Sequence, residues 1–149
     1  MQTSTRRLAF ALGLSALSAI AANTAAAADH QFMLTSPFNA VTPFDLTLPS
    51  TTEDGKPAKI AVIKFVSADC QASAGVTTVG SAQLAVLFNG QNGFYRLPFP
   101  APAVYSNGAE YTIAQQTLIF ADAGSTINFG LSDDSPPCYV VISGNLTVK

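Results

Sequence analysis

The sequence predicts an all-β fold: a single β-sandwich with jelly-roll or Greek-key connections, seven to nine strands and one disulfide. Three observations predict it. Short runs of β-branched, aromatic or alternating apolar residues recur after residue 28, each bounded by Gly, Pro, Asn or Asp. No stretch beyond that point repeats its apolar residues at helical spacing. Two cysteines, Cys70 and Cys138, allow one intramolecular pairing.

The elements follow in order. Phe44-Asp45-Leu46-Thr47-Leu48 alternates apolar and polar residues, as a half-buried strand does. "PSTTEDGKPA" carries the Pro, Ser, Asp-Gly and Pro of a turn. Lys59 to Ser67, "KIAVIKFVS", is β-branched and aromatic but alternates poorly, so it is either covered on both faces or bulged. "GVTTV" and "AQLAVLF" are the next strands, and Ala82, Leu84, Val86 and Phe88 share one face of the second. "NGQNG", Asn89 to Gly93, is a hairpin turn. "FYRLPF" then runs into a proline-stiffened loop, "PAPAVYSNGAE".

In "YTIAQQTLIF", Tyr111 and Ile113 share one parity and Leu118 and Phe120 the other. A bulge near Gln115-Gln116 would bring all four to one face. Ile127, Phe129 and Leu131 mark another strand, and Asp133 to Pro137 another turn. The last strand alternates most cleanly. Cys138, Val140, Ile142, Leu146 and Val148 should face the core, with Gly144 on the same parity making room for a neighbour or marking a bulge. Tyr139, Ser143, Asn145 and Thr147 should face outward.

Residues 1–28 read as a signal peptide, cleaved to leave a β domain over residues 29–149. Arg6 and Arg7 precede an uncharged apolar run of 13 residues, Leu8 to Ile20, followed by a small-residue tract to Ala28. As a helix that run reaches only about 20 Å, short of a bilayer core of about 30 Å, so no stable membrane span is expected after cleavage. Cleavage after Ala27 or Ala28 removes both arginines. Basic residues then fall from 7 to 5 against 9 acidic ones, a net charge of −4. The remaining cations are scattered, which disfavours nucleic acid and anionic lipid as partners. Export to the periplasm or medium permits the Cys70–Cys138 disulfide.

"KIAVIKFVSADC", "FYRLP", "TLIFADAGSTINF" and "CYVVISGNL" together resemble a loose group of small exported bacterial β-sandwich proteins. The shared features are Val66-Ser67 with Cys70, Tyr95 to Pro98, Ala121 to Gly124 and Ser143 to Leu146. The resemblance implies a fold and a compartment, and it implies no activity.

The inventory of reactive groups argues against an enzyme. A Ser-His-Asp hydrolase needs a base beside its nucleophile, yet the sole histidine is His30 and no Gly-x-Ser-x-Gly elbow occurs. A glycosidase needs two facing carboxylates. Asp45, Asp69, Glu110, Asp122, Asp133 and Asp134 mostly lie in or beside turns, and the chain has no Trp to stack on sugar. Asp133-Asp134 lacks the repeated acidic pattern of a calcium loop. No cofactor is implied.

Two features carry binding readings. Phe94, Tyr95, Phe99, Tyr105 and Tyr111 surround the proline-rich loop, either lining a ligand groove or filling the core. If the mature chain begins Ala28-Asp29-His30, its amine, two amides and imidazole suit square-planar Cu(II) or Ni(II). Otherwise His30 is incidental. The expected role is non-catalytic binding or assembly with a protein or glycan outside the cytoplasm. The alternatives are a pilin-like appendage subunit and a small glycan-active or metal-dependent enzyme. A pilin would supply a donor strand at its N-terminus and an aromatic C-terminal ending, and neither is evident in the sequence.

Overall fold

The protein is described by a computed structural model over residues 30–73, 81–131 and 136–148. The expected signal peptide, the "GVTTV" segment and the Asp133-Asp134 turn lie outside the described residues. Within them every regular element is a strand: β1 (His30–Thr35), β2 (Ala40–Val41), β3 (Phe44–Thr47), β4 (Ala58–Ser73), β5 (Ser81–Phe88), β6 (Gln91–Pro98), β7 (Ala103–Tyr105), β8 (Gly108–Asp122), β9 (Thr126–Leu131) and β10 (Pro137–Val148).

The strands form two antiparallel sheets. One has six strands in the order β1-β10-β4-β8-β7, with β2 beside β1 along the edge of β10. The other has four, in the order β3-β9-β5-β6. Their inward side chains share one hydrophobic cluster. Ile63, Val66, Val140 and Ile142 come from the larger sheet, and Leu84, Leu97, Ile127 and Phe129 from the smaller. Each such side chain contributes about 1.5–3 kcal/mol by leaving water.

Ten described strands replace the expected seven to nine. β1 lacks a legible alternation because exposed Met33 stands between Phe32 and Leu34, and β2 is only two residues long. β7 lies in the stretch read as a loop, where Tyr105 and Gly108 close a hairpin onto β8. The Asn89-Gly90 turn is tighter than expected. Both residues have positive φ, 51° and 74°, and Gln91 already belongs to β6. Two such residues match the right-handed twist of a hairpin.

The irregularity expected near Gln115-Gln116 exists, but its effect is the opposite of that expected. The β4–β8 register shifts between Ile63↔Ile119 and Phe65↔Gln116, leaving Lys64 against Thr117 and Leu118. The inward face therefore changes parity on β4, from Ala61 and Ile63 to Val66 and Ala68. On β8 it does not change: Ile119 and Ala121 stay inward with Tyr111 and Ile113. Leu118 and Phe120 point outward, a correction to the sequence reading. The Thr117 hydroxyl donates to the Ile63 carbonyl at 2.9 Å, satisfying an acceptor at the shift.

β10 follows its pattern with two departures. Val140, Ile142 and Leu146 are buried, but Val148, at the strand end, is half-buried. Asn145, expected outside, is only 8% exposed because β1 and β4 flank it with Gln31 and Val62. Gly144 sits where β10 and β4 slip register, and a Cβ there would overlap the Val62 carbonyl.

Cys70 and Cys138 are direct cross-strand neighbours on β4 and β10, bonded at 2.08 Å and fully buried. The bridge spans a sequence separation of 68 and stabilises by about 4 kcal/mol in the chain-entropy account.

Chemical denaturation tests these assignments. Cys138→Ser should cost about 2–5 kcal/mol. Ile142→Ala should cost a similar amount through the cavity it leaves. Gly144→Ala should cost about 1–3 kcal/mol, because backbone rather than a side-chain tip blocks the new methyl. A neutral Gly144→Ala would contradict the close approach of β10 to β4.

Candidate binding surface

Outward-facing side chains of the six-stranded sheet follow from its register. Met33, Ser143, Phe65 and Gln116 form one row across β1, β10, β4 and β8. Gln31, Asn145, Val62 and Phe120 form the next. This face carries more apolar bulk than a solvated sheet face requires. Met33 is 70% exposed, Leu118 68% and Phe120 41%. At the β1–β2 end, Phe38, Val41 and Tyr139 are also exposed, and the Phe38 and Tyr139 rings lie 6.4 Å apart. At the opposite end Phe120 meets Phe88, ring centres 6.0 Å apart.

The aromatic group around the proline-rich loop divides. Tyr111 is buried and takes the Phe99 ring edge-on at 5.6 Å, with Phe99 packed against the core. Tyr95 and Tyr105 stay accessible in different places. Tyr95 and Arg96 face Gln115 to Ile119 across a cleft of about 230 Å³ between β6 and β8. Tyr105 borders a smaller hollow of about 170 Å³ with Gln71, Asn107 and Glu110. Its hydroxyl donates to the Glu110 carboxylate at 3.4 Å. Of the four predicted surface residues, Tyr95, Phe99, Tyr105 and Tyr111, the first hollow is lined by Tyr95 alone and the second by Tyr105 alone.

His30 opens β1 opposite Leu146, inside the sheet edge rather than in a loose terminus. Its Nδ1 lies 3.4 Å from Asp54, whose other oxygen is 3.2 Å from the Lys56 ammonium. The amine and amide ligands of the predicted copper chelate belong to residues outside those described. Among the described residues no group of three His, Cys, Asp or Glu could hold a metal ion. The Lys56 hydrogen bond, with lesser help from the nearby His30, holds the Asp54 carboxyl below its ordinary range.

Asp45, Asp122 and Glu110 have local hydrogen-bond partners. Asp45 accepts from the Asn128 amide at 2.8 Å. Asp122 accepts from the backbone N–H groups of Asn89 and Gly90, fastening the β5–β6 turn to the end of β8. Asp69 and Glu110 lie diagonally on the outer face of β4 and β8. No family model matches the chain, and no curated protein is significantly similar to it.

Leu118 and Phe120 are the surface residues that sequence reasoning assigned to the wrong side. Their signal lay in the partner strand: "VIKFV" loses its own alternation around Lys64, which places the change of parity on β4.

The Tyr111 hydroxyl is buried without a hydrogen-bond partner among the described residues. Tyr111→Phe should therefore be neutral or stabilising in a denaturant melt, since a buried unpaired hydroxyl costs about 1–3 kcal/mol. A loss of more than about 1 kcal/mol would reveal a partner for it. Asp54 is exposed, so its effect is read by NMR titration. Its folded pKa is depressed, so its small contribution is present above the unfolded pKa and fades as pH falls through the folded value. Lys56→Ala should raise the Asp54 pKa toward the ordinary value, and an unchanged titration would contradict the ion pair.

Proposed function

We propose that the protein is exported, folds as a β-sandwich with jelly-roll or Greek-key connections, and works without catalysis, by binding or assembly outside the cytoplasm. One observation carries this reading: large apolar side chains are exposed across the outer face and edges of the six-stranded sheet. Met33, Val41, Leu118, Phe120 and Tyr139 belong to its strands, and Phe38 to the turn between β1 and β2. Exposed apolar side chains that cluster, as Phe38 does with Tyr139, mark an interaction site more often than idle surface. The buried disulfide is consistent with an oxidising location, periplasmic or extracellular. A glycan is the second reading, favoured by the hollow where Tyr105 stands beside Gln71, Asn107 and Glu110. An aromatic ring with amide and carboxylate neighbours suits a sugar's apolar face and its hydroxyls.

The appendage-subunit alternative gains less support. β1 is already paired in register with β10 over all six of its residues. That segment is used within the fold rather than left to complement a neighbour.

Binding of purified protein to surface material of its native host tests the proposal. The triple variant Met33→Ser, Phe38→Ser, Tyr139→Ser should keep its melting behaviour and lose at least about tenfold in affinity, as removal of central apolar contacts does. Tyr105→Ala should do so only if the ligand is a glycan. Wild-type affinity in both variants would sink the reading.

A further inference from the structure

We infer that the free edge of β8 pairs antiparallel with the same edge of a second copy, joining two six-stranded sheets into one. This deepens the assembly reading and rests on it. Beyond Glu110, the last β8 residue paired with β7, no strand among the described residues pairs with the second edge of β8. The cleft lined by Tyr95, Arg96 and Leu97 separates that edge from β6.

The other outer strands are blunted in the usual ways. β6 carries Arg96 and ends in Pro98. β3 has four residues, one of them Asp45, and directly follows Pro43. The β1–β2 edge is interrupted by Ser36-Pro37. The free stretch of β8, Tyr111 to Ala121, contains no charge and no proline.

Its outward side chains identify the occupant. In chain order they are Thr112, Ala114, Gln116, Leu118 and Phe120, small at one end and large at the other. Antiparallel pairing about Gln116 sets Thr112 against Phe120 and Ala114 against Leu118, with the two Gln116 amides facing each other. The strand is thus complementary to its own reverse, which favours a second copy over an unrelated peptide. It covers the exposed Leu118 and Phe120 without a new residue type.

The same register brings Glu110 of each copy toward Asp122 of the other, just beyond the paired stretch. Each carboxylate already accepts a local hydrogen bond, from Tyr105 for Glu110 and from Asn89 and Gly90 for Asp122. Their mutual repulsion still opposes the dimer, so association should strengthen as salt screens it.

Sedimentation of the purified exported protein, alone, over a concentration series is the test. Wild type should pass from monomer to dimer, more readily at higher salt. Gln116→Lys and Gln116→Glu should each stay monomeric, since like charges directly opposite one another on paired strands repel. An equimolar mixture of the two should recover the dimer. Gln116 is exposed, and an unchanged thermal melt for each variant excludes misfolding. Met33→Asp, on the opposite edge, should dimerise as wild type does. A wild type that stays monomeric, or single variants that dimerise normally, would overturn the inference. Loss of the dimer in Met33→Asp alone would also overturn it while leaving assembly through the outer face intact.

Discussion

The pairing of β4 with β10 is the contact on which the rest of the structure depends. β10 runs beside β4 from Cys138↔Cys70 to Val148↔Ala58, and these two strands hold the middle of the six-stranded sheet. The rest of that sheet builds outward from them: β1 and β2 attach to β10, β8 to β4, and β7 to β8. The disulfide sits at one end of this ladder. It joins residues far apart in sequence, so it removes mainly denatured-state freedom while the apolar rows hold the native contacts. A chain of this size has only about 5–15 kcal/mol of net stability to lose, and one bridge of about 4 kcal/mol is a large share of it.

A single register slip shapes the outer surface. Between Ile63 and Phe65, β4 accommodates Lys64 outside the alternation, and both neighbouring ladders shift at that point. Gly144 on β10 yields space to the Val62 carbonyl, and Thr117 on β8 caps the Ile63 carbonyl. With β8 keeping its own parity, Leu118 and Phe120 are turned to the outside. The apolar face proposed for binding is therefore a consequence of how three strands of unequal count are matched, β4 carrying one residue more than β10 here and β8 one more than β4, and the unguarded edge of β8 lies beside it.

Legibility in the sequence followed strand length and continuity. β10 could be read almost residue by residue, because period two over twelve residues leaves one register that buries Val140, Ile142 and Leu146. The disulfide was legible from cysteine count and expected export. The class, all-β with two sheets and one bridge, came from turn chemistry and β-branched runs. β2 and β7 were not legible, since two or three residues show no period, and β1 was not because its exposed Met33 between Phe32 and Leu34 hides the alternation. Asn145 misled because an outward side chain in the middle of a sheet can be covered by its lateral neighbours. Tyr111 and Tyr105, six residues apart, looked like one aromatic group, yet a turn and a strand parity separate them into core and surface. No motif marks the candidate surface, because an exposed leucine is ordinary until its neighbours across the sheet are known.

Hydrogen–deuterium exchange followed residue by residue, at low and at high protein concentration, tests the account most directly. Amides of β4 and β10 should be the most protected in the molecule at both concentrations, as the central ladder opens only with the whole fold. Between Thr112 and Phe120, alternate β8 amides should exchange fast when dilute, because they face no strand, and slow markedly when concentrated. Full protection of every β8 amide in dilute protein would contradict the open edge. Weaker protection in β10 than in β5 or β9 would contradict the central place given to its pairing with β4.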